Sequence, residues 1–170
     1  MFSKLSINDI VAYYQMQPHP EGGSYKETYR SEELIDKDAL PTRFNGNRHF
    51  ATAIYFLLDK GNFSAFHRIQ SDEVWHFYSG QALDIYVIHT NGVLEKIQLG
   101  ANIEKGQTFQ ATVPAGAWFA SIPADESLFS FVGCTVSPGF DFMDFELAKS
   151  KELIAAYPQH ISIIEKLCRI

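Results

Sequence analysis

The feature that most constrains the fold is a series of short β-rich segments, separated by turn signals, between Gly22 and Val136. These segments are residues 25–30, 50–58, 73–78, 82–90, 93–99, 107–113 and 128–136. Strands at this cadence are typical of a β-sandwich or barrel. Fourteen Phe, eight Tyr and two Trp also suit a pleated, half-buried strand surface. We therefore predict an all-β fold.

The clearest local signal is the pair Asn91-Gly92, which separates segments 82–90 and 93–99. Both residue types tolerate the positive φ that the two central residues of a type I′ turn require. The pair predicts a β-hairpin with a two-residue turn. The stretch 31–47 is polar and contains Pro41 and Gly46, and it predicts a surface loop or an excursion between two strands.

Apolar residues at helical spacing occur near both ends of the chain. The first set lies between Ser6, a candidate N-cap, and Pro18, and it predicts a helix over residues 6–17. The second set follows Pro138-Gly139 and predicts two helices within about 144–169, packed on the sheet. The whole chain, 1–170, is interpreted as a single domain with a β core over about 22–136.

Composition excludes several classes of partner. The formal net charge is −6, so the chain lacks the positive field that nucleic-acid binding needs. No apolar run reaches the ~18 residues of a membrane helix, and no secretory signal is visible. Cys134 and Cys168 have apolar neighbours, which is typical of buried free thiols. We therefore expect a cytoplasmic protein that binds neither nucleic acid nor membranes.

The stretch 64–80 is the strongest candidate for chemistry. It places His67, Asp72, Glu73 and His76 close together, and imidazole and carboxylate groups either bind a divalent metal or act as acid and base. Alternation along a strand puts Glu73 on one face and His76 on the other, so the two share a pocket only if a bulge intervenes. The alternative is a turn and a solvated strand face.

A second candidate lies on the first predicted strand. Alternation there places Tyr25, Glu27 and Tyr29 on one face. A carboxylate between aromatic rings, with Arg30 and Arg48 nearby in sequence, suits a polyhydroxylated or anionic small molecule. The alternative is an edge strand on which Glu27 pairs with a surface arginine.

The spacing of His67, Ile69, Glu73 and Gly80 resembles the first motif of the cupin superfamily. The stretch VPAGAWFAS, residues 113–121, resembles the second motif. In the superfamily pattern, metal-binding histidines stand where this chain has Ile69 and Phe119. The resemblance therefore implies that two of the four usual ligand positions hold side chains that cannot bind a metal.

Five blocks in order resemble one branch of that superfamily, long catalogued as a domain of unknown function. The blocks are PHPEGGSYKETYRS (18–31), ATAIYFLL (51–58), SAFHRIQSDEVWHFYSG (64–80), VPAGAWFAS (113–121) and CTVSPGFDFMDFELA (134–148). The resemblance implies a jelly-roll β-sandwich of the cupin type, a ligand-sized cavity between its sheets and a homodimer. Trp75 and Trp118 fall on the motif strands expected to line that cavity; the alternative is that both belong to the core.

Three functional hypotheses follow. In the first, the protein is an isomerase or epimerase that needs no metal or cofactor and acts on a sugar-like or other polar molecule, with His67 as general base and Glu73 as its orienting partner or second acid/base. In the second, it binds a small molecule without catalysis. In the third, it is a metalloenzyme that uses His67, Glu73 and a bulge-displaced His76. The predicted ligand-binding residues are Glu27, Arg30, Arg48, His76, Trp75 and Trp118.

Overall fold

The computed structural model describes residues 6–59, 61–124 and 129–169. Its strands are β1 (Gln17–Pro18), β2 (Ser24–Arg30), β3 (Leu34–Ile35), β4 (Arg48–His49), β5 (Thr52–Asp59), β6 (Ser64–Arg68), β7 (Asp72–Gly80), β8 (Leu83–Ile88), β9 (Leu94–Leu99), β10 (Gln110–Val113), β11 (Trp118–Pro123), β12 (Phe129–Ser137) and β13 (Glu146–Leu147). Its α-helices are α1 (Ile7–Tyr14), α2 (Ser150–Ala156) and α3 (Ile161–Leu167).

The strands form two main antiparallel sheets that pack face to face. One has the order β1-β2-β5-β12-β7-β10 and the other has the order β13-β6-β11-β8-β9. Phe56 and Trp75 of the first sheet share a core cluster with Ile85 and Phe119 of the second. Burial of these facing side chains holds the two layers together. The predicted all-β sandwich with short flanking helices is confirmed.

The sequence pattern does not predict two of the strands, β6 and β11. β6 and β11 are buried along almost their whole length, because neighbouring layers cover both of their faces. A strand buried on both faces loses the alternation of polar and apolar residues that marks a half-buried strand. The last predicted segment corresponds to β12 from Phe129 onward, and its first residue, Leu128, lies outside the described residues.

The predicted hairpin is confirmed, but its turn is of another type. β8 and β9 pair in register up to Ile88 and Leu94. Gly92 has a φ of 82°, whereas Asn91 does not have a positive φ. The Gly92 N–H donates to the His89 carbonyl at 2.8 Å. The connection is therefore a turn that ends in one left-handed glycine rather than a two-residue type I′ turn.

The predicted helices are present in shorter form. Ser6 and Asp9 make a reciprocal capping box at the start of α1, and the helix ends at Gln15, whose φ is 52°. The chain therefore leaves the helix before residue 17. At the other end, Leu153 of α2 and Ile164 of α3 pack against Phe66 and Ala120, on the side of the second sheet that faces away from the core.

Two expectations from composition can be compared with the structure. Cys134 and Cys168 are buried free thiols, as their apolar neighbours predict. Among the described residues, no helix is long and apolar enough to span a membrane.

A buried ion pair fixes the segment that follows β12. Arg48 donates from Nε and Nη2 to the two carboxylate oxygens of Asp144, each at 2.6 Å. Asp144 closes a short 3₁₀ turn, Phe142–Asp144, so this pair ties that turn to β4. The structure thus gives Arg48 a buried carboxylate partner instead of the ligand contact predicted from sequence, and Arg48 is not among the residues that line the space between the sheets.

We predict that Asp144→Asn destabilises the protein by about 3–5 kcal/mol, because it leaves a buried guanidinium without its counter-charge. The Arg48 side chain is 1% exposed, so water cannot replace the carboxylate. Urea unfolding measures the loss. The matched control is Glu146→Gln, whose carboxylate is 53% exposed and pairs with Arg68, and it is expected to cost at most about 1 kcal/mol. Equal losses in the two variants would contradict the prediction.

Candidate functional site

A cavity of about 240 Å³ lies between the two sheets. Side chains of β2, β5, β7 and β12 form one wall, and residues on and just after β6 form the other. Phe140, Phe142 and Phe145 of the segment held by the Arg48–Asp144 pair also line it. The titratable side chains of its lining include Glu21, His67 and Glu73.

His67 lies on β6 and is held at both ring nitrogens. Its Nδ1 donates to the Ala65 carbonyl at 2.7 Å, and its Nε2 lies 2.9 Å from Oε2 of Glu21. Phe119 packs on the ring with a centroid separation of 4.0 Å. Burial lowers the pKa of His67, but the Glu21 carboxylate outweighs burial and raises it above its ordinary value. The contact with Glu21 therefore favours the imidazolium form of the ring.

Glu21 is the partner that the sequence reasoning missed. It is buried, and its Oε1 accepts a hydrogen bond from the Ser64 hydroxyl at 2.8 Å. Burial raises the pKa of Glu21, yet the charge of His67 and these hydrogen bonds lower it overall. Glu21 and His67 therefore form a charged pair in the cavity wall.

The signal for Glu21 in the sequence was the Gly22-Gly23 pair that follows it. Gly22 has a φ of 119°, and a Cβ there would lie 2.1 Å from the Phe63 carbonyl oxygen. Glycine thus lets this turn approach the chain that leads into β6, where the Ala65 N–H donates to the Glu21 carbonyl at 2.9 Å. A glutamate directly before such a glycine pair is therefore a better candidate for a buried site residue than Glu27, which lies farther along the strand.

Glu73 faces the same cavity from β7. Burial raises the pKa of its carboxyl to about 7, while the charge of His67 and a hydrogen bond from the Cys134 thiol act in the opposite direction. Near neutral pH this carboxyl is therefore present in both its protonated and its ionised form. A group in that condition can take up or give off a proton readily.

Glu27 and Arg30 line the cavity too, and they bind each other. Arg30 donates from Nε and Nη2 to the two carboxylate oxygens of Glu27, at 3.0 and 2.6 Å. This pairing follows from a bulge between Glu27 and Tyr29, at which β2 slips by one residue against β5. The bulge turns Arg30 inward and leaves Tyr29 exposed, so the predicted shared face of Tyr25, Glu27 and Tyr29 is broken after Glu27.

Three other sequence candidates lie away from the cavity. His76 is on the opposite face of β7, where its Nε2 lies 3.1 Å from the Thr135 hydroxyl, because the bulge of this strand pair comes only at Tyr78. Trp75 is a core residue and is 1% exposed. Trp118 lies beside the C-terminal helices, and the Cζ of Arg68 lies 4.5 Å from the centroid of its ring. The structure does not bring them together with His67 and Glu73.

The donor set does not fit the metal centre that the superfamily pattern implies. Ile69 and Phe119 offer no ligand atom, and both nitrogens of His67 are already engaged. The alternative set of His67, Glu73 and His76 is divided between two faces of a sheet. Within the described ranges, no group of three or more His, Cys, Asp or Glu side chains is arranged to hold a metal ion.

Comparison with known proteins identifies a matching family model and a related protein. A family model described as cupin superfamily (DUF985) matches residues 8–148. An uncharacterized protein of Saccharomyces cerevisiae is 27% identical over 156 residues, which cover 86% of this chain and 77% of that protein.

Two solved structures resemble the whole chain. A hypothetical protein from Leishmania major matches with a TM-score of 0.88 and 35% identity, over 98% of this chain and 100% of that one. A protein from Shewanella oneidensis matches with a TM-score of 0.87 and 41% identity, over 97% and 98% of the two chains. The two-sheet sandwich and the matched family model together show that the chain belongs to the cupin superfamily, in the family described as DUF985.

Proposed function

We propose that the protein is an acid/base enzyme of the isomerase or epimerase type, which moves a proton on a small polar molecule bound in the cavity without a metal. The observation that carries the proposal is Glu73, a buried carboxyl that faces the cavity with a pKa of about 7 beside the charged Glu21–His67 pair. Carboxyl groups tuned in this way are typical of general acids and bases.

The contacts favour Glu73 over His67 as the group that takes the proton. For His67 to act as the base, its Nε2 would have to lose its proton and its 2.9 Å contact with Glu21, which leaves a buried carboxylate without its counter-charge. Glu73 has a weak thiol donor, Cys134, as its partner and opens onto the cavity. The role of general base therefore moves from His67, where the sequence placed it, to Glu73.

His67 has a different part in this scheme. When the Glu73 carboxylate removes a proton from a carbon next to a carbonyl group, the electron pair moves to the carbonyl oxygen and an enolate forms. Glu73 becomes neutral in the same step, so the total charge of the cavity does not change, and the positive charge of His67, which favours the ionised Glu73, favours the enolate in its place. For a hydroxy-carbonyl substrate, the hydroxyl proton on the deprotonated carbon then passes to the enolate oxygen within the intermediate. Glu73 returns its proton to the former carbonyl carbon as the other oxygen becomes the new carbonyl, so the isomerisation needs no second base.

The raised pKa of Glu73 predicts a specific effect of pH on stability. Its carboxyl titrates near 4.5 in the unfolded chain and near 7 in the folded protein, so the folded state binds more protons between these values. Stability from this group is fully present below pH 4.5 and falls, by about 3 kcal/mol in total, as the pH rises through 7.

Glu73→Gln mimics the protonated carboxyl and removes this dependence. We expect the free energy of unfolding of the variant, relative to the native protein, to rise by about 3 kcal/mol between pH 4.5 and pH 8. Urea unfolding across that range measures it, and the contribution of the Glu21–His67 pair largely cancels because both proteins contain it. The control is Glu27→Gln, which changes a carboxylate of the cavity that is 41% exposed. A constant difference between variant and native protein would contradict the assignment.

Solvent exchange tests catalysis directly. A panel of small hydroxy-aldehydes and hydroxy-ketones is incubated with the protein in heavy water, and proton NMR follows the loss of C–H signals next to the carbonyl group. We expect exchange for at least one compound, no exchange with Glu73→Gln, and unchanged exchange with Glu146→Gln, whose carboxylate lies outside the cavity.

The same panel separates the enzyme from a binding protein. Compounds that raise the melting temperature of the native protein but never exchange would contradict the proposal and favour a non-catalytic small-molecule-binding protein. A ligand at about 100 times its Kd stabilises the folded state by about 2.7 kcal/mol, so binding is detectable by melting alone.

A further inference from the structure

The positive charges in the cavity wall are already neutralised by the protein itself. Arg30 uses Nε and Nη2 on Glu27 and donates from Nη1 to the Phe140 carbonyl at 3.2 Å. His67 uses one nitrogen on Glu21 and the other on the Ala65 carbonyl. A phosphate that entered the cavity would have to compete with a carboxylate for either cation.

The remaining basic side chain of the described lining, His19, is shifted toward its neutral form. Burial lowers its pKa, and its Nδ1 accepts a hydrogen bond from the Glu21 backbone N–H at 3.4 Å. Glu73 adds negative charge to the cavity as it ionises. The electrostatic field of this wall therefore disfavours anions and tolerates uncharged molecules.

The rest of the lining suits a ring that carries hydroxyl groups. Phe56, Phe140, Phe142 and Phe145 line the cavity, and the negative π-face of an aromatic ring attracts the weakly positive C–H groups of a sugar ring. Carboxylate oxygens accept hydrogen bonds from hydroxyl groups, and Glu27 and Glu73 lie on the same wall.

The size of the cavity limits the ligand further. Its volume of about 240 Å³ is below the ~300–1,000 Å³ of pockets that hold drug-sized molecules. One sugar ring fits such a volume, whereas the nucleotide of a nucleotide sugar would have to lie outside it.

We propose that the cavity takes a free, uncharged sugar of single-ring size, without a phosphate or a nucleotide. The inference rests on the proposed function, because it names the substrate class of the same site. It depends on two ion pairs, Glu27–Arg30 and Glu21–His67, which hold the cations of the wall away from an anionic ligand.

Isothermal titration at pH 6 tests the substrate class without requiring turnover. The probes are the common aldohexoses and ketohexoses, their 6-phosphates, and uridine diphosphate glucose and galactose. We expect at least one free hexose to bind with a Kd about tenfold or more below those of all phosphorylated probes. Tighter binding of a phosphorylated probe, or no binding of any free hexose, overturns the inference.

A variant that gains affinity for sugar phosphates tests whether the Glu27–Arg30 ion pair is what excludes them. Glu27→Gln frees the guanidinium of Arg30 from its carboxylate, so this variant is expected to bind hexose 6-phosphates about tenfold more tightly than the native protein. Glu95→Gln, in which an exposed carboxylate paired with His89 is changed outside the cavity, is the matched control. No gain in Glu27→Gln, or an equal gain in both variants, overturns the inference.

These results are distinguishable from a failure of the proposed function. Exchange in heavy water reports proton transfer by Glu73 on any carbonyl compound, charged or not. A sugar phosphate that binds and exchanges would overturn the substrate class and support acid/base catalysis. A free hexose that binds without exchange would do the reverse.

Discussion

The ion pair between Glu21 and His67 is the interaction on which the rest of the site depends. Both side chains are buried, and taking two charges out of water is costly unless each finds good partners. Here Ser64 and Ala65 complete the hydrogen bonding of the pair. The contact joins the turn before β2, a strand of the first sheet, to β6 of the second sheet. It therefore closes one side of the cavity and places a fixed positive charge inside it.

Three other ion pairs of the described residues differ in burial, and burial separates their roles. Arg48–Asp144 is almost fully buried, and it holds residues 140–145, whose phenylalanines line the cavity. Arg30–Glu27 is partly exposed, with side chains at 34% and 41%, and lies in the lining. Arg68–Glu146 is half-exposed, so water screens it and it contributes little. The first of these shapes the cavity, and the second sets its charge.

Much of the fold could be predicted from the sequence, because alternation and turn residues are local signals. The half-buried strands and the hairpin were predicted for this reason, whereas β6 and β11 were not, since they lack alternation. The site was predicted in part. His67, Glu73, Glu27 and Arg30 do line one cavity. Glu21 was missed and Arg48 was misplaced, because their partners, His67 and Asp144, are 46 and 96 positions away in the chain.

Backbone irregularity accounts for the remaining differences. One extra residue in β2 reverses the faces of Tyr29 and Arg30, and no local pattern announces it. Strict alternation held for β7 as far as His76, so the prediction that Glu73 and His76 face opposite ways is confirmed. The homodimer and the cytoplasmic location, which rested on the resemblance and on the cysteines, stay predictions.

The chemistry of the cavity follows from a shortage of positive charge at its inner end. A metal ion at the position that the superfamily pattern implies would add positive charge there, but Ile69 and Phe119 offer it no ligand atom. Here Phe119 lies against His67 where the superfamily pattern has a histidine, and one imidazolium faces both Glu21 and Glu73. Glu21 is nearer, with a direct contact at 2.9 Å, and it keeps its negative charge. Burial and the negative charge of Glu21 raise the pKa of Glu73 to about 7, so Glu73 keeps its proton up to about that pH. A single cation shared by two buried acids thus produces one permanent anion and one carboxyl that can exchange its proton.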